Sequence, residues 1–185
     1  WSMNPDARRG AALAMLFAAL LLPNPRSRAG VAEPTFESHC QGGRAELAGY
    51  RYGVTRYGEK RTGQAVMITV TEPFSESKRV KVDDPSKHGA DAFEALKMNL
   101  VRDFQTGIYD YNTMTSVFVR SRDFSLSKIS FSSAEWCGLV YEELLFDRSA
   151  ARQSLRSYFE GESGDRTLPW QAGGVSEDQL FILIR

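Results

Sequence analysis

Alternating hydrophobic and polar positions dominate the chain from residue 46 onward, and a period of two is typical of β-strands. The alternation is clearest over residues 46–56 and 64–72, and the second run is rich in β-branched residues, which favour a pleated surface. The polar stretch between them contains Gly58 and Gly63, so the two runs are predicted to form a hairpin. Further strands are predicted over residues 78–82, 93–104, 108–120, 128–133, 138–146 and 154–160.

Two segments allow more than one interpretation. Residues 93–104 fit both a helix and a strand, and their second half is favoured as a strand because a turn at Thr106-Gly107 leads into the next strand. Near the C-terminal end, Ser176 followed by Gln179 is a capping-box signature and predicts a short helix over residues 180–184, with a final strand as the alternative. Because this pattern stops at Arg185, we expect a longer protein to continue beyond it.

Many short strands joined by polar turns predict a mainly β fold. The expected architecture is an antiparallel meander that forms a curved sheet or an incomplete barrel. A sheet of this kind buries one face and encloses an apolar pocket wherever side chains leave its interior unfilled.

The first 32 residues differ from the rest of the chain. Arg8 and Arg9 precede an uncharged apolar run over residues 11–22, which Pro23 ends. This order predicts a secretory signal peptide, with an uncleaved N-terminal anchor as the alternative. Residues 33–185 are then expected to form a single β-rich domain in the periplasm or cell envelope.

Charge changes the picture once that segment is set aside. The whole chain has 23 basic and 23 acidic residues. The first 32 residues hold four arginines and one aspartate, which leaves 19 basic and 22 acidic residues and a net charge of −3. No nucleic-acid partner is expected, because phosphate contacts need a concentrated basic face.

Three blocks of residues carry a family resemblance. They are residues 45–47 with 56–59 and 70–74, residues 106–109 with 115–118, and residues 133–138. Together they resemble a family of exported bacterial envelope proteins, many of them predicted lipoproteins and some labelled as septum-formation inhibitors. The resemblance covers about residues 44–160 and implies export and an envelope location, but it attaches no catalytic role to any residue. The label is not transferred, because the chain lacks an α/β nucleotide pyrophosphatase pattern.

Cys137 is the candidate for covalent chemistry. A nucleophilic thiol needs a neighbouring base, and His88 and His39 are the histidines of the chain. Two other interpretations remain open: a disulfide between Cys40 and Cys137, which suits an exported protein, and an inert thiol. No metal site or cofactor is expected, because no set of His and Cys residues has a ligand spacing.

Tyrosines at two-residue spacing form the candidate binding site. Tyr50 with Tyr52, and Tyr109 with Tyr111, each share one face of a strand, and Arg56 lies nearby in sequence. Tyrosine offers apolar area with a polar tip, and arginine binds carboxylate or phosphate, so these residues are predicted to line a pocket for an anionic or amphipathic ligand. Arg51, Arg61 and Arg102 are further candidates, and cross-strand packing is the alternative interpretation.

The leading interpretation is therefore a non-enzymatic protein that binds or scaffolds an amphipathic or lipid-like envelope ligand, with peripheral membrane association. One alternative is a secreted hydrolase or thiol enzyme centred on Cys137. A second is a structural domain that binds a protein partner. The oligomeric state is not indicated by the sequence.

Overall fold

A computed structural model of the chain describes residues 42–184, which form one antiparallel β-sheet. Its eight strands are β1 (Glu46–Arg56), β2 (Glu59–Ser75), β3 (Ala92–Thr106), β4 (Tyr109–Arg120), β5 (Leu126–Glu135), β6 (Gly138–Phe146), β7 (Ala150–Ser157) and β8 (Gly164–Pro169). Each strand pairs with the next one in the chain, so β1 and β8 are the edges. The predicted mainly β meander is confirmed, and over residues 42–184 the sheet is not closed into a barrel.

One face of the sheet, called the core face below, carries the hydrophobic core. Register places Thr69, Met98, Val117 and Ile129 in one row across β2 to β5. Because side chains alternate along a strand, every second residue of each strand joins them on this face. The buried hydrophobic cluster consists of Met67, Leu96, Met98, Val117, Val119, Leu126, Ile129, Phe146, Ala151 and Ile182.

A short helix covers part of the core face. A 3-10 turn over Glu177–Gln179 leads into α1 (Leu180–Leu183), and Ile182 of α1 is buried in the core. The predicted C-terminal helix is confirmed, but the predicted capping box is wrong, since the Ser176 side chain makes no capping hydrogen bond. The buried Gln179 side chain instead donates to the backbone carbonyl of Phe124, a tertiary partner that the local motif does not include.

The structure overturns the predicted strand 78–82, places the strand predicted over 154–160 at Ala150–Ser157, resolves the ambiguous segment 93–104 and adds β8. Residues 78–82 form only an isolated bridge between Phe74 and Lys81, because Arg79 adopts a left-handed conformation with φ of 56° that an extended strand does not allow. Residues 93–104 are a strand throughout, since Leu96 and Met98 both face the core. Strand β8 was not predicted, because its bounding residues Gly164 and Pro169 read as part of a loop.

The antiparallel order sends successive connections to opposite ends of the sheet. The end that carries the connections at residues 57–58, 107–108, 136–137 and 158–163 is called the aromatic end. The other end carries residues 76–91, 121–125, 147–149 and 170–176 and is called the charged end. Within residues 42–184 no helix has the length and apolarity needed to cross a bilayer.

Candidate ligand-binding site

A cavity of about 660 Å³ opens on the core face beside the edge strand β1 and the end of the chain. Register aligns Tyr50, Ala65 and Arg102 on β1, β2 and β3, and the small Ala65 leaves room between its two larger neighbours. The cavity, called the apolar cavity below, is lined by Tyr50, Tyr52, Ala65, Met67, Leu100, Phe181 and Ile184, with Glu46, Arg51 and Arg102 as its charged members.

Two buried polar atoms of the apolar cavity lack partners. The Tyr52 hydroxyl and the Arg102 Nε are buried, and neither has a hydrogen-bond partner among residues 42–184. A buried polar group without a partner costs about 1–3 kcal/mol, so most such groups in proteins are satisfied. Both atoms can donate a hydrogen bond, and a carboxylate or phosphate oxygen would satisfy them.

The charge of Arg102 acts on both sides of its position. Burial raises the pKa of the Tyr52 phenol, and the neighbouring Arg102 opposes that rise. On its other side Arg102 lines a smaller cavity of about 230 Å³ with Glu142 and Asp178. Burial raises the pKa of Asp178, next to Glu177 and Glu142, while Arg102 lowers it. Arg102 is therefore the cation shared by the apolar cavity and the acidic residues beside it.

A glycine positions Tyr52. The Tyr52 ring lies over Gly63, its register partner on β2, and a Cβ at Gly63 would come within 2.6 Å of that ring. Only a residue without a side chain permits this approach. The sequence therefore fixes the ring at the boundary between the apolar cavity and the aromatic end.

Arg56 and Tyr111 form a separate cluster at the aromatic end. The Arg56 guanidinium carbon lies 4.9 Å from the Tyr57 ring centre and 5.3 Å from that of Tyr111. The Tyr57 and Tyr111 hydroxyls are 3.0 Å apart, and Tyr111 stacks on Phe104 with ring centres 4.7 Å apart. The hydrogen bond with Tyr57, together with burial, raises the pKa of Tyr111. The hydrogen bond with Tyr111 raises the pKa of Arg56.

The structure thus divides the five residues predicted to bind a ligand. Tyr50 and Tyr52 line the apolar cavity, Arg56 and Tyr111 pair with each other, and Tyr109 contacts the Trp136 ring at 5.8 Å. Of the further arginine candidates, Arg51 and Arg102 belong to the cavity. Sequence reasoning missed Met67, Leu100, Phe181 and Ile184. The alternation in β2 and β3 could have placed Met67 and Leu100 beside the tyrosines, but no local signal brings α1 there.

Cys137 is exposed in the turn between β5 and β6, at the aromatic end. His88 lies in the connection between β2 and β3, at the charged end, so the structure does not bring these two residues together. The described residues do not include His39, Cys40 or the segment 1–32. The predicted Cys40–Cys137 disulfide therefore also lies outside them. Over residues 42–184, no three His, Cys, Asp or Glu side chains cluster closely enough to hold a metal ion.

Comparison of the chain with known protein families, with curated proteins and with solved structures finds no match.

Proposed function

We propose that the chain is an exported, non-enzymatic protein of the cell envelope that binds an amphipathic, lipid-like anion in the apolar cavity. The observation that carries this proposal is the pairing of an apolar wall with two buried donors, Tyr52 and Arg102, that lack partners among residues 42–184. An acyl chain would cover Met67, Leu100 and Phe181, and its acidic head would accept hydrogen bonds from the two donors.

The size of the cavity suits such a ligand. Its volume of about 660 Å³ lies within the range of 300–1,000 Å³ that is typical of small-molecule sites. Most of its wall is hydrophobic or aromatic and its polar groups are few, which is the usual composition of sites that orient an amphipath by its head.

Titration calorimetry with dodecanoate tests the proposal, with dodecanol and dodecyltrimethylammonium as probes that share the tail and change the head. We expect dodecanoate to bind most tightly. Arg102→Met should weaken dodecanoate about tenfold and leave dodecanol unchanged, since only the charge-assisted contact is lost. Equal binding of all three probes would show that the head is not recognised.

A matched pair of substitutions tests the location of the tail. Ala65 is buried at the cavity wall, whereas its neighbour Val66 is exposed on the opposite face. Ala65→Phe should fill the cavity and abolish dodecanoate binding, while Val66→Phe should leave it intact. Native mass spectrometry of the purified full chain is expected to detect a bound lipid that is lost in Ala65→Phe. If neither substitution changes binding, the ligand lies elsewhere.

The thiol alternative makes a different prediction. Cys137 lies in a turn and does not line the apolar cavity. Cys137→Ser should therefore leave dodecanoate affinity unchanged. A loss of binding in this variant, or after alkylation of Cys137, would count against the cavity as the site.

A further inference from the structure

Every connection at the aromatic end presents a large apolar side chain to solvent. Tyr57 is 73% exposed, Ile108 74%, Trp136 64% and Tyr158 67%, and each belongs to a different connection. Leu139, Tyr109 and Phe159 add further exposed area beside them. Scattered exposed apolar residues are ordinary, but a series that follows one end of the sheet marks an interaction surface.

These exposed residues form a row along the aromatic end and not a compact patch. Neighbouring connections are two strand spacings apart, about 10 Å, so the four connections span about 30 Å along the aromatic end. Side chains that protrude from turns along one line fit between the head groups of a bilayer, whereas a stable protein interface is a broad, complementary surface. Tyrosine and tryptophan are also the side chains that prefer the bilayer–water interface.

The turns hold these side chains in place. Tyr57 occupies a left-handed conformation with φ of 54°, which is uncommon for a residue with a side chain. Its ring is held by Arg56 and its hydroxyl by Tyr111, and Trp136 is supported by Tyr109. The Tyr57 and Trp136 rings are therefore ordered at the surface, so they have little conformational freedom to lose on docking.

Charge around the row selects the kind of bilayer. Three basic residues, Arg56, Lys60 and Arg156, lie in the four connections or within two residues of them. The acidic residues there are more numerous: Glu59, Asp110, Glu135, Glu160, Glu162 and Asp165. An anionic surface would repel this excess of carboxylates, whereas a zwitterionic surface would not.

From these observations we propose that the aromatic end docks on a zwitterionic bilayer, with Tyr57, Ile108, Trp136 and Tyr158 seated at the level of the head groups. This inference goes beyond ligand binding in the apolar cavity and does not depend on it. One row of the sheet contains Phe104, Tyr111 and Tyr52, and Tyr52 also lines the apolar cavity. The docked aromatic end would therefore lie next to that cavity.

Tryptophan fluorescence offers a direct test, because Trp136 and Trp170 lie at opposite ends of the sheet. One full-chain variant, Trp1→Phe with Trp170→Phe, keeps only Trp136. The matched variant, Trp1→Phe with Trp136→Phe, keeps only Trp170. Vesicles of brominated phosphatidylcholine should quench Trp136 and shift its emission to the blue, and should leave Trp170 unchanged. Equal quenching of both tryptophans, or of neither, would overturn the proposal. Attachment through the apolar run at residues 11–22 alone would give one of these two results.

A second set of variants measures the contribution of the row. Tyr57→Ser, Ile108→Ser and Trp136→Ser combined should reduce partitioning into phosphatidylcholine vesicles at least about tenfold. Val80→Ser with Val175→Ser, which remove exposed apolar residues at the charged end, should not. Circular dichroism checks that both remain folded, and the quenching experiment tests the proposal without altering Tyr57 or Ile108.

Two outcomes would contradict docking on a zwitterionic bilayer and indicate another partner for this surface. If sedimentation finds a dimer of the parent chain that the triple variant loses, the row is a contact between copies and the bilayer proposal fails. Stronger binding to phosphatidylglycerol vesicles, abolished by salt, would contradict the choice of a zwitterionic surface.

Discussion

The two ends of the sheet use their side chains in opposite ways. At the charged end, the buried Arg79 donates to the Ser127 hydroxyl at 2.7 Å and to the Phe146 carbonyl at 3.2 Å, and it pairs with Glu76 and Asp147. At the aromatic end, side chains such as Ile108 and Trp136 remain largely exposed. A buried, fully paired arginine thus marks the charged end, whereas the largest exposed apolar side chains lie at the aromatic end, and this difference is why docking is proposed there and a folding role for Arg79.

A cavity at the charged end supports this division. It measures about 760 Å³ and is larger than the apolar cavity, yet three of the four arginines that line it already have acidic partners. Arg120 pairs with Glu76, and Arg79 bridges Glu76 and Asp147. Volume alone therefore does not identify a binding site. The apolar cavity is smaller, but it combines hydrophobic walls with donors that lack partners among the described residues.

Loss of Arg79 should give the largest effect on stability. Arg79→Ala removes the links from the 76–91 connection to β5, to β6 and to Asp147 and leaves buried acceptors unpaired, so we expect the free energy of unfolding to fall by about 3 kcal/mol. Urea denaturation measures this change. The matched variant Arg122→Ala, at the same end but highly exposed, should change stability by less than about 0.5 kcal/mol. Similar losses in the two variants would remove the distinction between a folding end and a binding end.

Near the aromatic end, Gly63 should be critical for stability. A Cβ there would clash with the Asp103 carbonyl and the Tyr52 ring, so Gly63→Ala should destabilise the fold by about 2 kcal/mol. Gly53 has its nearest atom at 3.9 Å, and Gly53→Ala should be neutral within about 0.5 kcal/mol. Denaturation curves that coincide for the two variants would show that the Tyr52 ring can move away without loss.

Two aspartates should respond to pH with opposite signs. The pKa of Asp123 is lowered by hydrogen bonds from Ser125, so its carboxylate stabilises the fold above about pH 4, and that contribution is lost as pH falls. The pKa of Asp178 is raised by burial, so its proton is favoured in the folded state and its ionisation destabilises the fold as pH rises.

Substitution by asparagine separates these two cases. At pH 7, Asp123→Asn should lower the urea midpoint and Asp178→Asn should raise it. The difference for Asp178 should shrink as the pH falls to about 4, whereas that for Asp123 should disappear only at lower pH, once its lowered folded-state pKa has also been passed. If both variants shift the midpoint in the same direction at pH 7, the contrast between a hydrogen-bonded and a desolvated carboxylate is wrong.

Much of the fold could be predicted from the sequence, because alternation records which residues are buried on a sheet face. The bounds of β1 and β6 follow directly from it. Failures occurred where a tertiary contact overrides the local pattern. Arg79 interrupts an alternating stretch because its side chain bonds to Ser127. Gln179 does not form the predicted capping box because its side chain bonds to the Phe124 carbonyl.

The candidate site was predictable only in part. Tyr50 and Tyr52 were found because two-residue spacing places them together on β1. Their distance from Tyr111 could not be read from spacing, because it depends on the register between strands and on Gly63. Phe181 and Ile184 reach the cavity through the docking of α1, a long-range contact without a local signal.

The smallest expected effect concerns the Tyr57 hydroxyl. Tyr57→Phe removes its hydrogen bond with Tyr111 and should cost about 0.5 kcal/mol, because the group is largely exposed. The same change should lower the pKa of Tyr111 toward its ordinary value, since that bond is the main cause of the rise. Ring-carbon NMR titration of Tyr111 measures it, and Tyr158→Phe, which alters an exposed tyrosine elsewhere at this end, is the control. An unchanged Tyr111 pKa would mean that Tyr57 is not held at the turn, and the ordered aromatic row would lose its support at β1.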